Sequence, residues 1–291
     1  MDANELLKKV RKIEIKSRAL SQNIFAGEYH STFKGRGMMF SEVREYQYGD
    51  DIRDIDWNVT ARHNHPYIKV YEEERELTVM LLVDVSGSRD FGAVGVAKRD
   101  MIAEIAATIA FSAIQNNDKI GAIFFSDKIE KFIPPKKGKK HILFIIRELL
   151  DFTPTSRGTN IANAVEYFAD AIKRRCTTFL ISDFIDTADY RRALSVACNR
   201  HEIMALQVYD KRDSQLPDVG LMHLRDLETG ALQWVDTSSS AVRKAYSKWW
   251  YDRQQAMSEA LRRARVDYTS IATDEDYVKA LLTLFKSRRT R

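Results

Sequence analysis

The chain has 291 residues, of which 44% are hydrophobic and 30% charged, with a net charge of +5. That length allows one large domain or two small ones, and the composition supplies a real core beneath a soluble surface. With 5 Pro and 12 Gly the chain excludes long low-complexity segments, and its modest charge gives no reason to expect a nucleic-acid partner.

The first residues, MDANELLKKVRKIEIKSR, carry charges throughout and lack the apolar core of a signal peptide. The longest apolar stretch, around Val79 to Val85, falls far short of the roughly 20 residues that span a bilayer. A cytoplasmic protein without membrane insertion is therefore expected. Glu5 to about Leu20 suits an amphipathic helix. Residues 24–75 read as short strands and turns without a long helix, closing on the strand-like Tyr67 to Tyr71 and the acidic Glu72 to Glu74. Basic clusters at Lys8–Lys16, Lys136–Lys140 and Lys286–Arg291 read as a solvated helix face, a loop and a tail.

From Leu77 strands and helices alternate. Leu77 to Val85 is a near-continuous apolar run, as a strand buried on both faces requires. Ala97 to Gln115 has helical spacing. Lys119 to Phe125 and Ile129 to Ile133 read as strands, and Lys140 to Leu150 as a helix. Thr159 or Asn160 caps a helix that runs to about Ile172. Thr177 to Ile181 is a buried strand, Asp189 to Asn199 a helix, and Glu202 to Tyr209 a strand. Val266 to Ile271 and Asp274 to Lys286 close the chain as strand and helix. This pattern predicts an α/β fold with a doubly wound, mainly parallel sheet. The expected division is an N-terminal helix and β-rich segment over 1–75 and an α/β domain over 76–288. An insertion at about 221–265 contributes a hairpin around Glu228-Thr-Gly230 and a long helix. The helix stripe of Val242, Ala245, Tyr246, Trp249, Trp250, Met257, Leu261 and Ala264 is expected to pack into the core.

Two cysteines, Cys176 and Cys198, belong to no C-x-x-C pair and read as reduced, packed thiols.

Ligands of open α/β sheets bind beyond the carboxyl ends of the strands. The first buried strand ends in Asp84-Val-Ser86-Gly-Ser88, the strand from Thr177 runs into Ser182-Asp183, and Arg157-Gly-Thr159-Asn160 opens a helix between them. These segments are expected to converge on one sheet edge. They collect two carboxylates and three hydroxyls, an oxygen donor set suited to a hard cation such as Mg²⁺ or Mn²⁺. With few direct carboxylates such a site stays electrophilic and accepts an acidic ligand from a partner.

D-x-S-x-S, a distal Thr after Gly and a strand-terminal Asp resemble the metal-ion-dependent adhesion site of von Willebrand factor type A domains, in strand-helix order over residues 77–288. The resemblance implies that Ser86, Ser88 and Thr159 ligate the metal while Asp84 and Asp183 hold waters. One departure is Phe184, where many such domains have Gly; it bears on the local backbone rather than on the carboxylate. A second likeness covers about residues 20–190. Gly27-Glu-Tyr-His30-Ser31, Gly35-Arg-Gly37, Arg44-Glu-Tyr46, Gly49-Asp-Asp-Ile-Arg53-Asp-Ile-Asp56-Trp57 and Ala61-Arg62 resemble the signature of domain-of-unknown-function family fifty-eight. Its members are bacterial or archaeal, have a type A-like domain, and are commonly associated with MoxR-type AAA+ ATPases, with no established catalytic activity. The resemblance implies a non-catalytic adaptor or co-chaperone-like partner of such an ATPase or of its client.

The alternative is a metal-dependent phosphoester hydrolase using the same site. Against it, no His or Lys in the three loops is placed as nucleophile or base. A dehalogenase-type phosphatase needs a second Asp where Ser86 stands. Gly35-Arg-Gly37 and Lys137-Gly-Lys-Lys lack the spacing of phosphate loops. His63-Asn-His65, with His30, Asp50 and Asp51 nearby in sequence, fits no nuclease metal rule, and Asp50 to Asp56 lacks the Gly and Glu of a calcium loop. The charged run Gly49 to Trp57, with Arg44 and Arg62, reads as ion pairs that lock an irregular segment, or as a docking surface.

Overall fold

A computed structural model describes residues 8, 10–17, 38–73, 77–90, 98–225 and 230–289. The Gly27 to Gly37 part of the signature, with His30, and Glu74 lie outside the described residues. Two units divide the chain, one of His30–Leu77 and one of Thr78–Arg291 together with the N-terminal residues through Tyr29. The N-terminal helix thus belongs with the α/β unit, and not with the β-rich segment as the expected 1–75 grouping had it. The reason is its apolar side: in α1 (residues 10–17), Val10 and Ile13 are buried in the larger core. Ser17 lies 3.2 Å from Thr108, and Lys16 pairs with Glu104 at 2.5 Å.

In the smaller unit β1 (Met38–Glu45) pairs antiparallel with β2 (Tyr67–Glu73), and α2 (Trp57–His63) lies between them in sequence. The charged run is used locally. Arg44 forks onto Asp50 with bonds of 2.9 and 2.8 Å, Asp51 accepts from the Arg53 amide, and Asp56 caps α2 through the Asn58 and Val59 amides. Lys69 stands 3.6 Å from Asp56. Such caps and bidentate pairs fix an irregular segment where a long helix or sheet ladder is lacking. His63 ends α2 against the Tyr67 ring and His65 is exposed, and among the described residues neither belongs to a cluster of three His, Cys, Asp or Glu side chains.

In the larger unit β3 (Thr78–Asp84) is apolar from Val79 to Val83 and must be covered on both faces. It sits inside a six-stranded sheet with β4 (Lys119–Phe125), β5 (Ile129–Lys136), β6 (Thr177–Ser182), β7 (Glu202–Tyr209) and β10 (Asp267–Ala272). The order is β10-β7-β6-β3-β4-β5; every pairing is parallel except that of β5 with β4. Side-chain alternation splits the core. Val79, Leu81, Val83, Phe179, Ile181, Met204 and Leu206 face α3 (Lys98–Gln115), α4 (Lys139–Asp151) and α8 (Tyr277–Arg289). Met80, Leu82, Leu180 and Ala205 face α5 (Ile161–Ala171), α6 (Arg191–Cys198) and α7 (Ser240–Arg263). Asn160 caps α5 through the Asn163 amide at 2.9 Å. A separate hairpin joins β8 (Leu221–Arg225) to β9 (Leu232–Asp236), its tip at 226–229 lying outside the described residues.

At the edge strand β5, Pro134 and Pro135 form a bulge: Ile133 faces Ala122 and Lys136 faces Ile120, two residues against Gly121 alone. A Cβ on Gly121 would meet the Ile133 carbonyl at 2.8 Å and the Pro135 nitrogen at 2.9 Å, so the bulge requires glycine there.

Both cysteines are free thiols. Burial pushes Cys176 up to about 11, so it stays protonated at neutral pH. Its sulfur meets His201 Nδ1 at 3.3 Å, and the His201 ring packs 4.6 Å from Phe168. Burial, followed by the charges of Arg200 and Arg175, lowers His201 from 6.5 to about 4. The unfolded chain therefore binds one proton more than the folded chain between those pH values. This group's contribution is full above pH 6.5 and is lost as pH falls toward 4. Between pH 7 and 5 the unfolding free energy of wild type is expected to fall more steeply than that of His201→Gln, measured by urea titration; parallel slopes would mean that the ring is charged in the fold.

Candidate functional site

β3 and β6 run side by side, Val83 opposite Ile181. The chain leaves β3 toward β4 on one flank and returns to β6 on the other, so the strand order reverses between them. That reversal opens a crevice at the strands' carboxyl ends. Asp84 ends β3, and Asp183 follows the last residue of β6.

Asp84 is 3% exposed. Its Oδ1 accepts from the Ser86 amide at 2.9 Å and its Oδ2 from the Ser182 hydroxyl at 2.6 Å. The first bond tightens the turn that brings Ser86 and Ser88 together, their hydroxyls 3.1 Å apart. Asp183, also buried, accepts from the Ile185 amide at 3.1 Å. The loop that carries Thr159 is tied down by backbone: the Gly87 amide donates to the Arg157 carbonyl, and the Asn160 amide to the Ser126 carbonyl, each at 3.0 Å. Asp84, Ser86, Ser88 and Asp183 thus meet at one edge, with the 157–160 loop bonded to it.

Phe184 takes the left-handed conformation, with φ of 59°. Glycine is the usual occupant of such a position. Here the backbone keeps the geometry, the Phe184 amide donates to Ser182 Oγ at 3.0 Å, and the ring is buried against Tyr190. The departure at this position leaves Asp183 where it was expected.

Several residues that frame the site were not singled out from the sequence. Lys98, 2% exposed, reaches Asp213 at 2.7 Å and Asp183 at 3.4 Å. Burial opposes its charge, but the pull of Asp183 and Asp213 outweighs burial and holds its pKa above the ordinary lysine value. Asp213 is pinned in turn by the Asp210 amide at 2.9 Å. Gln207, buried on β7, donates to the Asp183 carbonyl at 3.1 Å and accepts from Ser270 at 2.7 Å. Glu130 accepts from Ser126, from the Thr155 hydroxyl and from the Thr155 and Ser156 amides, bracing the loop ahead of Thr159. A sequence signal existed for two of them: Lys98 falls on the stripe of Ile102, Ile105 and Ile109, and Gln207 interrupts an apolar strand.

Two carboxylates, Asp183 and Asp213, therefore flank one buried ammonium, and Asp84 lies close enough to Asp183 to feel its charge. Burial, and next the nearby Asp183, raises the Asp84 pKa above the carboxylate range. Among the described residues no three His, Cys, Asp or Glu side chains form a metal cage by themselves. The donor set is instead two carboxylates with clustered hydroxyls, an all-oxygen set whose negative charge Lys98 offsets only in part, which suits a divalent cation with oxygen preference. The residues present fit such an ion.

The sheet order, the helices on both faces and the crevice at Asp84 and Asp183 define a von Willebrand factor type A-like fold. Within that class the chain belongs to the family described as "Protein of unknown function DUF58", whose profile matches residues 42–256. An uncharacterized protein of Mycobacterium tuberculosis, Rv1480, is 29% identical over 99% of this chain and 92% of its own. The crystal structure of an aerotolerance-related membrane protein from Bacteroides fragilis superposes with a TM-score of 0.51 at 16% identity, covering 72% of this chain and 99% of that one. The crystal structure of BatB from Bacteroides thetaiotaomicron gives a TM-score of 0.48 at 14% identity, covering 74% of this chain and 100% of that one. Among the described residues no helix is long and apolar enough to cross a membrane.

Removing the ammonium leaves Asp183 and Asp213 buried without it. Lys98→Met is expected to cost about 3–5 kcal/mol, the usual penalty for breaking a buried pair. Urea unfolding in EDTA measures it, and a loss below about 1 kcal/mol would show that water replaces the lysine freely.

Proposed function

We propose that this protein is a non-catalytic interaction module whose crevice holds Mg²⁺ or Mn²⁺ and uses it to grip an acidic side chain of a partner. The observation that carries the reading is the buried oxygen cluster at Asp84, Ser86, Ser88 and Asp183, with negative charge beyond what Lys98 offsets. Ser86, Ser88 and Thr159 would hold the ion directly, and Asp84 and Asp183 through water. Bound there, the ion supplies a Lewis-acidic coordination position that a carboxylate can fill. Hydroxyls add no charge of their own, which keeps that position electrophilic.

The chain's own side chains prepare the site. Ser182 fixes the Asp84 carboxylate, Gln207 fixes the Asp183 backbone, and Lys98 offsets part of the charge. Lys98, the lysine at the crevice among the described residues, is engaged by two carboxylates and is held protonated, which suits positioning rather than proton transfer. This favours a binding role over phosphoester hydrolysis. The partner class, a MoxR-type AAA+ ATPase or its client, is supported by the family resemblance, and a cytoplasmic setting suits that partner.

Calorimetry is expected to register millimolar-range Mg²⁺ or Mn²⁺ binding by wild type and a loss of it in Asp84→Ala and Ser86→Ala, with circular dichroism to control for folding; equal binding by all three proteins would sink the assignment. Interferometry against the candidate ATPase is expected to show affinity reduced, not abolished, by EDTA and by Asp183→Ala. A metal-dependent phosphodiesterase turnover that disappears in Ser86→Ala would replace the binding role with a catalytic one.

A further inference from the structure

Beside the crevice lies a cavity of about 1110 Å³ that begins at Ser88 and Lys98. One wall is the inner face of the β8–β9 hairpin, with Met222, Leu224 and Val235, and another is the N-terminal half of α7, with Tyr246 and Trp249. The core expectation for the α7 stripe holds from Trp250 onward. Trp250, Met257, Leu261 and Ala264 are buried, whereas Trp249 is 40% exposed and Val242 and Tyr246 are half-buried. The later turns pack with α5 and α6 in one core cluster, while Tyr246 and Trp249 of the earlier turns line the cavity with the hairpin. Arg253 locks this arrangement by donating to the Asp186 carbonyl at 2.9 Å, three residues after Asp183, with its guanidinium 5.2 Å from the Trp249 ring.

The lining is basic. Lys98 and Lys211 are engaged by carboxylates, but Arg212, Arg225 and Arg253 also face the cavity, against one lining carboxylate, Asp213, which Lys98 already engages. The volume exceeds the roughly 300–1,000 Å³ of ordinary small-molecule pockets. Aromatic and aliphatic walls under a basic rim are complementary to a chain segment that carries both acidic and bulky apolar side chains.

We propose that the hairpin and the first half of α7 form the docking groove for an extended segment of a protein partner, in which an acidic residue is flanked by bulky aliphatic or aromatic ones. The groove rests on the reading of the crevice given above, since the acidic residue reaches the ion near Ser88 while its neighbours fill the space between Leu224 and Trp249. The insertion is thereby the element that selects the partner, and the oxygen cluster is the anchor common to whatever docks.

The test is a selection of random dodecapeptides displayed on phage against the full-length protein in Mg²⁺, followed by affinity measurement with a fluorescein-labelled winner. Enrichment of Asp or Glu beside Leu, Ile, Phe or Trp is expected, with affinity falling about tenfold, the mark of a hot spot, in both Arg225→Glu and Trp249→Ala. Unchanged urea midpoints in these two variants confirm that the fold is intact. No enrichment, or winners unaffected by both variants, overturns the groove, and in the latter case sensitivity to EDTA and Ser86→Ala would leave the crevice reading standing. Affinity that depends on Arg225 and Trp249 but not on EDTA or Ser86 supports the groove and removes the ion from the contact. Retention on phosphatidylglycerol vesicles that is lost in Arg225→Glu, without peptide enrichment, would assign the surface to a membrane instead.

Discussion

Two carboxylates at the ends of neighbouring parallel strands are kept out of water, and the loops around them are arranged to make that tolerable. Because Val83 pairs with Ile181, Asp84 comes level with Ser182, and Asp183 stands one residue further along. Like charges in a dry crevice repel and lose hydration. The response is a set of short donations from Ser86, Ser182 and Ile185, together with the reach of Lys98 from the start of α3. Lys98 also ties the crevice to Asp213, in the turn that leads from β7 toward the hairpin. One ammonium therefore couples the ends of β6 and β7, linking the charge at Asp183 to the entrance of the insertion.

Much of this was legible in the residues. A strand buried on both faces leaves a run such as Val79 to Val83, and helical spacing marks α3, so the sheet and helices of the larger unit were foreseen with boundaries off by up to three residues, while the short α2 was not. Asp84, Ser86 and Ser88 are legible because close spacing on one turn makes them neighbours whatever the rest of the chain does. Lys98, Asp213 and Gln207 are different. Each is far in sequence from the atom it touches, and its partner is set by which strands adjoin, which local pattern does not encode. The amphipathic stripe of α7 is a middle case. Its period is uniform, but its surroundings change halfway along, and a periodic pattern carries no information about what lies opposite each turn.

The smaller unit teaches a complementary lesson. The run from Gly49 to Trp57 holds many charges in few residues, which reads equally well as a docking surface or as a set of structural pairs. Local geometry favours the second for Asp50, Asp51 and Asp56, each of which satisfies a backbone amide or an arginine within a few residues. Charge density alone does not separate these roles; the test is whether each carboxylate already has a donor at hand.

The paired prolines opposite Gly121 have a bearing on how the protein behaves in a crowded cell. A sheet's outermost strand is a template on which another chain can crystallise, hydrogen bond by hydrogen bond. Pro134 and Pro135 have no amide hydrogen to donate, and the bulge they form breaks the regular alternation of the strand. The kinked stretch offers an incoming strand an interrupted ladder and the wrong curvature. At that border the edge is a poor template for adding a further strand.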